Sequence, residues 1–125
     1  MVTAVTPAQA KRLIAKAKRT SLEDRLLADL AKLGLPVPER EYRFTTKPAP
    51  QWRFDFAYPS RFIAIECDGG TWSGGRHVRG AGYQRDAEKF NAASRLGWAV
   101  FHYTGAMIRS GYAAREIAEA LGGAA

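Results

Sequence analysis

The sequence predicts an α/β or α+β fold in which one four-stranded mixed sheet is flanked by helices. The first observation is the order of apolar patterns: a helical period, three alternating segments, a helix, a fourth alternating segment and a last helical region. The second is size, because 125 residues with 46% apolar side chains are enough for one core. Strands grouped between helices are typical of a sheet covered by helices.

The N-terminal third is predicted to form two helices. Pro7 suits a first helical turn, and the helical pattern continues to about Arg19. Ser21 is a plausible N-cap for a second helix, which carries two acids in its first turn and stops at Gly34.

Three strands follow, predicted at 41 to 46, 52 to 58 and 62 to 67. A short turn at 59 to 61 joins the last two as a hairpin. Alternation predicts that the aromatic residues of the second strand share one face: Trp52, Phe54, Phe56 and Tyr58.

A glycine-rich loop is predicted from Gly69 to Gly82, then a helix from about 83 to 96, a strand from 98 to 103 and a helical region to about 121. We expect a single domain over 1–125, with a basic arm at 1–20 and a core at about 21–104.

Charge and composition indicate the class of partner. The formal charge is +7, and residues 1 to 20 carry five bases and no acid, whereas the remaining 14 bases are nearly balanced by 12 acids. Such an arm favours a polyanion. No apolar run suggests a membrane span or signal peptide, so we expect a soluble, cytoplasmic protein without membrane attachment. The single cysteine, Cys67, alternates with isoleucines and is predicted to be a packed thiol.

Two carboxylates stand out on the hairpin. With the aromatic residues on one face, Asp55 occupies the other, and a turn centred near residue 60 places it opposite residue 65 or Glu66. Cross-strand neighbours have Cβ atoms roughly 4.5–5.5 Å apart. A shared proton, a bridge from a base such as Arg53, or a divalent cation would each explain such a pair. Among cations, oxygen ligands suit Mg²⁺ or Mn²⁺.

Glu23 is a second unusual acid. Around the second predicted helix it falls at about 100° from Leu22, inside the arc of leucines, whereas Asp24 falls on the solvent side. A functional carboxylate and a first-turn residue that extends to solvent are both compatible with this position.

Several motifs together resemble the PD-(D/E)XK nuclease superfamily, especially its small branch around very-short-patch-repair endonucleases. They are Asp55 before a turn, Ile-Ala-Ile-Glu-Cys-Asp-Gly-Gly at 63–70, His77, Asp-Ala-Glu-Lys-Phe-Asn at 86–91, and Gly-Trp-Ala-Val-Phe at 97–101. The resemblance covers about residues 21–104. It implies an αβββαβ restriction-endonuclease-like core and a Mg²⁺- or Mn²⁺-dependent DNA endonuclease of repair or recombination, without a small-molecule cofactor.

The resemblance also implies roles for individual residues. Asp55, Glu66 and the backbone carbonyl of Cys67 match the metal ligands, and Glu23 matches an acid on the first core helix. The family lysine two residues after the second acid is replaced here by Asp68. Asp68 could instead bind a second metal ion.

Two residues could replace the missing lysine. Lys89 on the following helix is one, although its spacing from Asp86 makes a surface ion pair the simpler arrangement. His77 is the other, with an idle exposed ring as its alternative.

Further basic and aromatic residues would hold DNA. Phosphate contacts are predicted for Lys11, Arg12, Lys16, Lys18, Arg19, Lys47, Arg76 and Arg79, and base stacking for Trp72. A single-site nuclease of this size could form a homodimer to cut both strands. Two other interpretations remain open: an inactive nucleic-acid-binding domain of the same fold, and an RNA-associated module, which leaves the paired carboxylates unexplained.

Overall fold

The computed structural model describes residues 4–68 and 81–122, and the predicted glycine-rich loop lies largely outside them. The predicted fold class is confirmed: a four-stranded mixed sheet is flanked by helices. The elements are α1 (Pro7–Lys32), β1 (Glu39–Arg43), β2 (Arg53–Tyr58), a 3₁₀ turn (Pro59–Arg61), β3 (Ile63–Cys67), α2 (Ala81–Arg95), β4 (Ala99–Tyr103), α3 (Gly105–Arg109) and α4 (Tyr112–Ala120).

Helix α1 is continuous, so the predicted break at Ser21 is wrong. The sequence from residue 8 to 33 contains neither glycine nor proline. An interior serine costs only a few tenths of a kcal/mol, about 0.5 relative to alanine, so nothing stops the helix from propagating. Its true N-cap is Thr6, whose hydroxyl accepts from the Gln9 N–H at 3.1 Å while the Gln9 side chain accepts from the Thr6 N–H at 2.8 Å. Gly34 follows the end of the helix with φ 73°.

The strands are ordered β1-β2-β3-β4, with two antiparallel pairs and a parallel pair between β3 and β4. The predicted hairpin is present, with Tyr58 opposite Ile63 and Phe56 opposite Ile65. Strand β1 ends earlier than predicted. Beyond it the Thr45 hydroxyl donates to the Pro50 carbonyl and accepts from the Trp52 N–H, so a local turn holds this segment.

Two apolar clusters lie on opposite faces of the sheet. The first packs α1, α3 and α4 against β2, β3 and β4, and its fully buried side chains include Leu26, Phe56, Ile65, Tyr103 and Ile117. The second packs α2 against the other face and contains Phe54, Ala57, Ala64 and Ala93.

The prediction that Phe54 shares a face with Phe56 is wrong. Phe54 belongs to the cluster under α2, whereas Phe56 and Tyr58 belong to the cluster under α1. Trp52 precedes β2 and stacks near Phe44, with 6.5 Å between ring centroids. The aromatic residues therefore change faces within the strand.

This change coincides with an irregularity in the β1–β2 ladder. The register pairs Arg40 with Phe56 and Tyr42 with Phe54, and Asp55 falls between the paired residues. Opposite it, Glu41 has φ 50°, in the left-handed region that side chains other than glycine seldom adopt. A left-handed residue redirects the chain and breaks strict alternation.

The predicted last helical region is two helices, α3 and α4, separated at Gly111 with φ 85°. Within the described ranges, no helix combines the length and the apolar character needed to cross a lipid bilayer.

Candidate active site

The site lies where β2 and β3 stop pairing through their backbones. The register ends at Phe56 opposite Ile65, and its continuation would place Asp55 opposite Glu66, as predicted. There, each carboxylate accepts from the other strand: Glu66 Oε2 from the Asp55 N–H at 2.9 Å, and Asp55 Oδ2 from the Cys67 N–H at 2.7 Å. Side chains thus satisfy backbone donors at this end of the hairpin.

Lys89 reaches this pair from α2. Its Nζ lies 2.6 Å from Glu66 Oε1, and the side chains of Lys89 and Glu66 are 17% and 10% exposed. The same nitrogen lies 5.8 Å and 5.2 Å from the ring centroids of Phe54 and Phe90. The simpler expectation, a surface pair between Lys89 and Asp86, is wrong because α2 turns Lys89 toward the sheet.

The surroundings of Asp55 disfavour its negative charge. Burial, and then the negative charge of Glu66, raise the pKa of Asp55 to about 6, although the hydrogen bond from the Cys67 N–H opposes the change. Lys89 donates a hydrogen bond to Glu66, and it lowers the pKa of Asp55 only through a charge interaction at longer range. The carboxylate pair therefore carries more negative charge than its one lysine neutralises.

Glu23 joins the same cluster from α1. Its side chain is 12% exposed, against 63% for Asp24, so both predicted orientations agree with the structure. Arg40 on β1 donates to Glu23 Oε1 at 3.0 Å. Burial and the charge of Asp55 raise the pKa of Glu23. The interpretation of Glu23 as a residue extending to solvent is therefore wrong.

His102 also lies at the site, although the sequence pattern did not predict it. On β4 it is the parallel partner of Glu66, and its Nδ1 lies 3.2 Å from Asp68 Oδ2. The hydrogen bond with Asp68 raises the pKa of His102, and its ring packs edge-on against Phe90, with centroids 4.7 Å apart. A cavity of about 460 Å³ borders this pair, with Tyr83 on its wall. Only the parallel pairing of β4 beside β3 could have identified His102, and the sequence pattern does not specify that pairing.

The donor set suits a hard divalent cation. Asp55 and Glu66 provide carboxylate oxygens and the Cys67 backbone a carbonyl, which are ligand types that Mg²⁺ and Mn²⁺ accept alongside water. Among the described residues, Lys89 pairs with Glu66 and Arg40 with Glu23, but Arg40 also lies 3.7 Å from Asp24, and Glu41 adds negative charge near Asp55 and Glu23. Over residues 4–68 and 81–122, no group of three or more His, Cys, Asp and Glu side chains is arranged to hold a metal. Any cation here would rely on two carboxylates and the backbone.

The remaining predicted residues divide into two groups. The five arm bases lie on the first half of α1 and are exposed, and Lys47 is exposed in the β1–β2 connection. Four predicted residues lie outside the described part of the chain: Trp72, Arg76, His77 and Arg79. Cys67 is 5% exposed, and burial raises the pKa of its thiol, which fits a packed side chain.

Comparisons with known proteins do not identify a family. No family model matches the chain, and no solved structure does. Two uncharacterized proteins of Mycobacterium tuberculosis, from strains CDC 1551 and H37Rv, are each 33% identical to it over 67 residues. The matched segment is 54% of this chain and 23% of each relative, so the chain spans about a quarter of the relatives' length.

Proposed function

We propose that this chain is a metal-dependent endonuclease that hydrolyses DNA phosphodiester bonds, in the manner of the PD-(D/E)XK superfamily. The observation that carries the proposal is the contact of Lys89 Nζ with Glu66 Oε1 at 2.6 Å, beside Asp55. The residue at the family's lysine position is Asp68, and α2 supplies a lysine to the same carboxylate from another part of the chain. The order of elements and the strand directions also agree with an αβββαβ core.

Asp55, Glu66 and the Cys67 carbonyl would hold Mg²⁺ or Mn²⁺. The cation would supply charge stabilisation to a phosphate and lower the pKa of bound water. Lys89 pairs with Glu66 and, with a flexible stem and three N–H donors, can turn toward a phosphate oxygen or orient water. Glu23 adds negative charge from the α1 side, which favours cation uptake, and Arg40 limits that charge while the site is free.

A second candidate function is nucleic-acid binding without catalysis. One observation favours it: backbone N–H groups and Lys89 donate hydrogen bonds to oxygens of both carboxylates. In this case the carboxylates would tie β2, β3 and α2 together, and the basic arm would bind nucleic acid alone.

The test is cleavage of supercoiled, nicked and branched DNA in Mg²⁺, Mn²⁺ or EDTA. We expect metal-dependent nicking that Asp55→Asn and Glu66→Gln abolish, and that Lys89→Gln lowers about 10²–10⁴-fold, the range of a positioned proton-transfer group. Arg85→Gln is the matched control, because Arg85 is exposed on the same helix, one turn before Lys89.

Two results would decide against the proposal. Cleavage by Asp55→Asn and Glu66→Gln at the wild-type rate would mean that the assigned site does not cut. Salt-sensitive DNA binding that ignores metal, with no cleavage of any substrate, would favour the binding domain instead.

A further inference from the structure

The bases of α1 do not form one patch. At 100° per residue, Arg12, Lys16 and Arg19 lie within about 40° of the direction of Glu23, at positions 11, 7 and 4 before it. Lys11 and Lys18 point about 120° and 140° away from Glu23. We call the first three the basic track, and it shares the helix face that reaches the candidate site.

The basic track lies on a free stretch of helix. The buried residues of α1 are Leu22, Leu26 and Leu30, all in its second half, where α3 and α4 pack. The track side chains belong to exposed residues, and in the described part of the chain none of them forms an ion pair. The three unpaired cations therefore lie on one helix face, in line with Glu23.

We infer that the substrate's phosphate backbone lies along the basic track, so that α1 guides DNA on one side of the cut. The inference rests on the proposed function and specifies its substrate: duplex that extends past the site toward the N-terminus of α1. Arg12 to Glu23 spans 11 residues, or roughly 16 Å of helix. At about 3.4 Å per phosphate along one strand, the track covers roughly five base pairs.

A nucleic acid explains the arrangement better than a membrane surface. A helix lying on a bilayer inserts an apolar face and carries its bases on the polar face. Here Ile14 lies opposite the track and Leu13 about 80° from the direction of Glu23, at 55% and 58% exposure, and the track points along the face that carries Glu23 and the core leucines. A rigid polyanion could contact the track and the site together.

The experiment compares two double variants of the full chain with equal charge loss. Arg12→Gln with Arg19→Gln alters the track, and Lys11→Gln with Lys18→Gln is the control on the same helix. Binding to a fluorescent 30-base-pair duplex is measured in EDTA from 50 to 200 mM salt, so cleavage does not interfere. Helical content by circular dichroism verifies that both variants fold.

We expect the track variant to reduce the slope of log K against log salt by about 1.8, and the Lys11 and Lys18 variant to reduce it clearly less, because these two side chains point away from the track. Over a fourfold change in salt this corresponds to about 12-fold less loss of affinity than in wild type. In Mg²⁺, cleavage by the wild type should fall on substrates whose duplex extends fewer than about five base pairs beyond the cut on one side. The track variant should not show this dependence on duplex length.

Equal effects of both variants would overturn the inference, because the arm would then act through total charge. No effect of either variant would also overturn it. A third result would overturn it as well: the track variant no longer sediments with anionic phosphatidylserine vesicles, but its DNA binding is unchanged. DNA binding that depends on the track, without cleavage, would support the inference and refute the nuclease proposal. Cleavage that is the same with and without the track would support the nuclease proposal and refute the inference.

Discussion

Replacing Lys89 by methionine tests how strongly the site depends on one cation. Methionine keeps most of the apolar stem against Phe54 and Phe90 but removes the ammonium group from Glu66. The lost contact is 2.6 Å long, and its partners are 17% and 10% exposed, so solvent replaces it poorly.

Removing one partner of a buried ion pair costs about 3–5 kcal/mol, because the other charge stays buried without compensation. Glu66 keeps the hydrogen bond from the Asp55 N–H and slight exposure, so we place Lys89→Met near the lower limit, at about 3 kcal/mol. For a chain of this length, about 4 °C per kcal/mol predicts a fall in Tm of about 12 °C.

The assay is urea unfolding in EDTA at neutral pH, with Arg85→Met as the control on the same helix. Adding Glu66→Gln to Lys89→Met should recover most of the loss, because a neutral amide needs no counter-ion. A loss below about 1 kcal/mol would refute a buried pair. A double variant no more stable than Lys89→Met would show that packing, not the charge of Glu66, requires the lysine.

Three further predictions concern pH, metal and core. Because the fold raises the pKa of Asp55 to about 6, its stabilising contribution is complete below pH 4 and is lost as pH rises through 6. In metal-free buffer, the free energy of unfolding of Asp55→Asn should therefore rise by about 2 kcal/mol relative to that of the wild type from pH 4 to pH 7 in urea titrations. A difference between the two proteins that stays constant with pH would contradict this. Mg²⁺ at ten times its Kd should stabilise wild type by about 1.4 kcal/mol in thermal scans, but not Asp55→Asn with Glu66→Gln. Leu26→Ala, at a fully buried position, should cost about 2–5 kcal/mol in urea unfolding, and the exposed Ile14→Ala less than about 0.5.

The pairing of Asp55 with Glu66 could be predicted because it depends on local rules. A short turn near residue 60 limits the partner of Asp55 to residue 65 or Glu66 without knowledge of the rest of the fold, and the four-residue connection 59–62 selects Glu66. The same rules fail for Phe54. The left-handed backbone of Glu41, on the neighbouring strand, coincides with the change of face, and no residue type in that stretch signals such a conformation.

Lys89 and His102 could not be assigned for a different reason. Helix periodicity orders side chains around α2 but does not say which direction faces the sheet, and that direction decided between Asp86 and Glu66 as the partner of Lys89. The parallel register that places His102 beside Glu66 depends on the crossover through α2. The continuity of α1 was missed because a good cap residue, Ser21, also tolerates a helix interior.

The order in which the site's charges meet during folding follows from where they lie along the chain. Asp55 and Glu66 are 11 residues apart on a hairpin, whereas Lys89 is 23 residues past Glu66 on the crossover helix. Short loops close sooner, so the two acids converge before their cation arrives. Repulsion between them should therefore raise the folding barrier, and Asp55→Asn should lower it. The electrostatics that would attract a metal to the finished site would also slow its assembly.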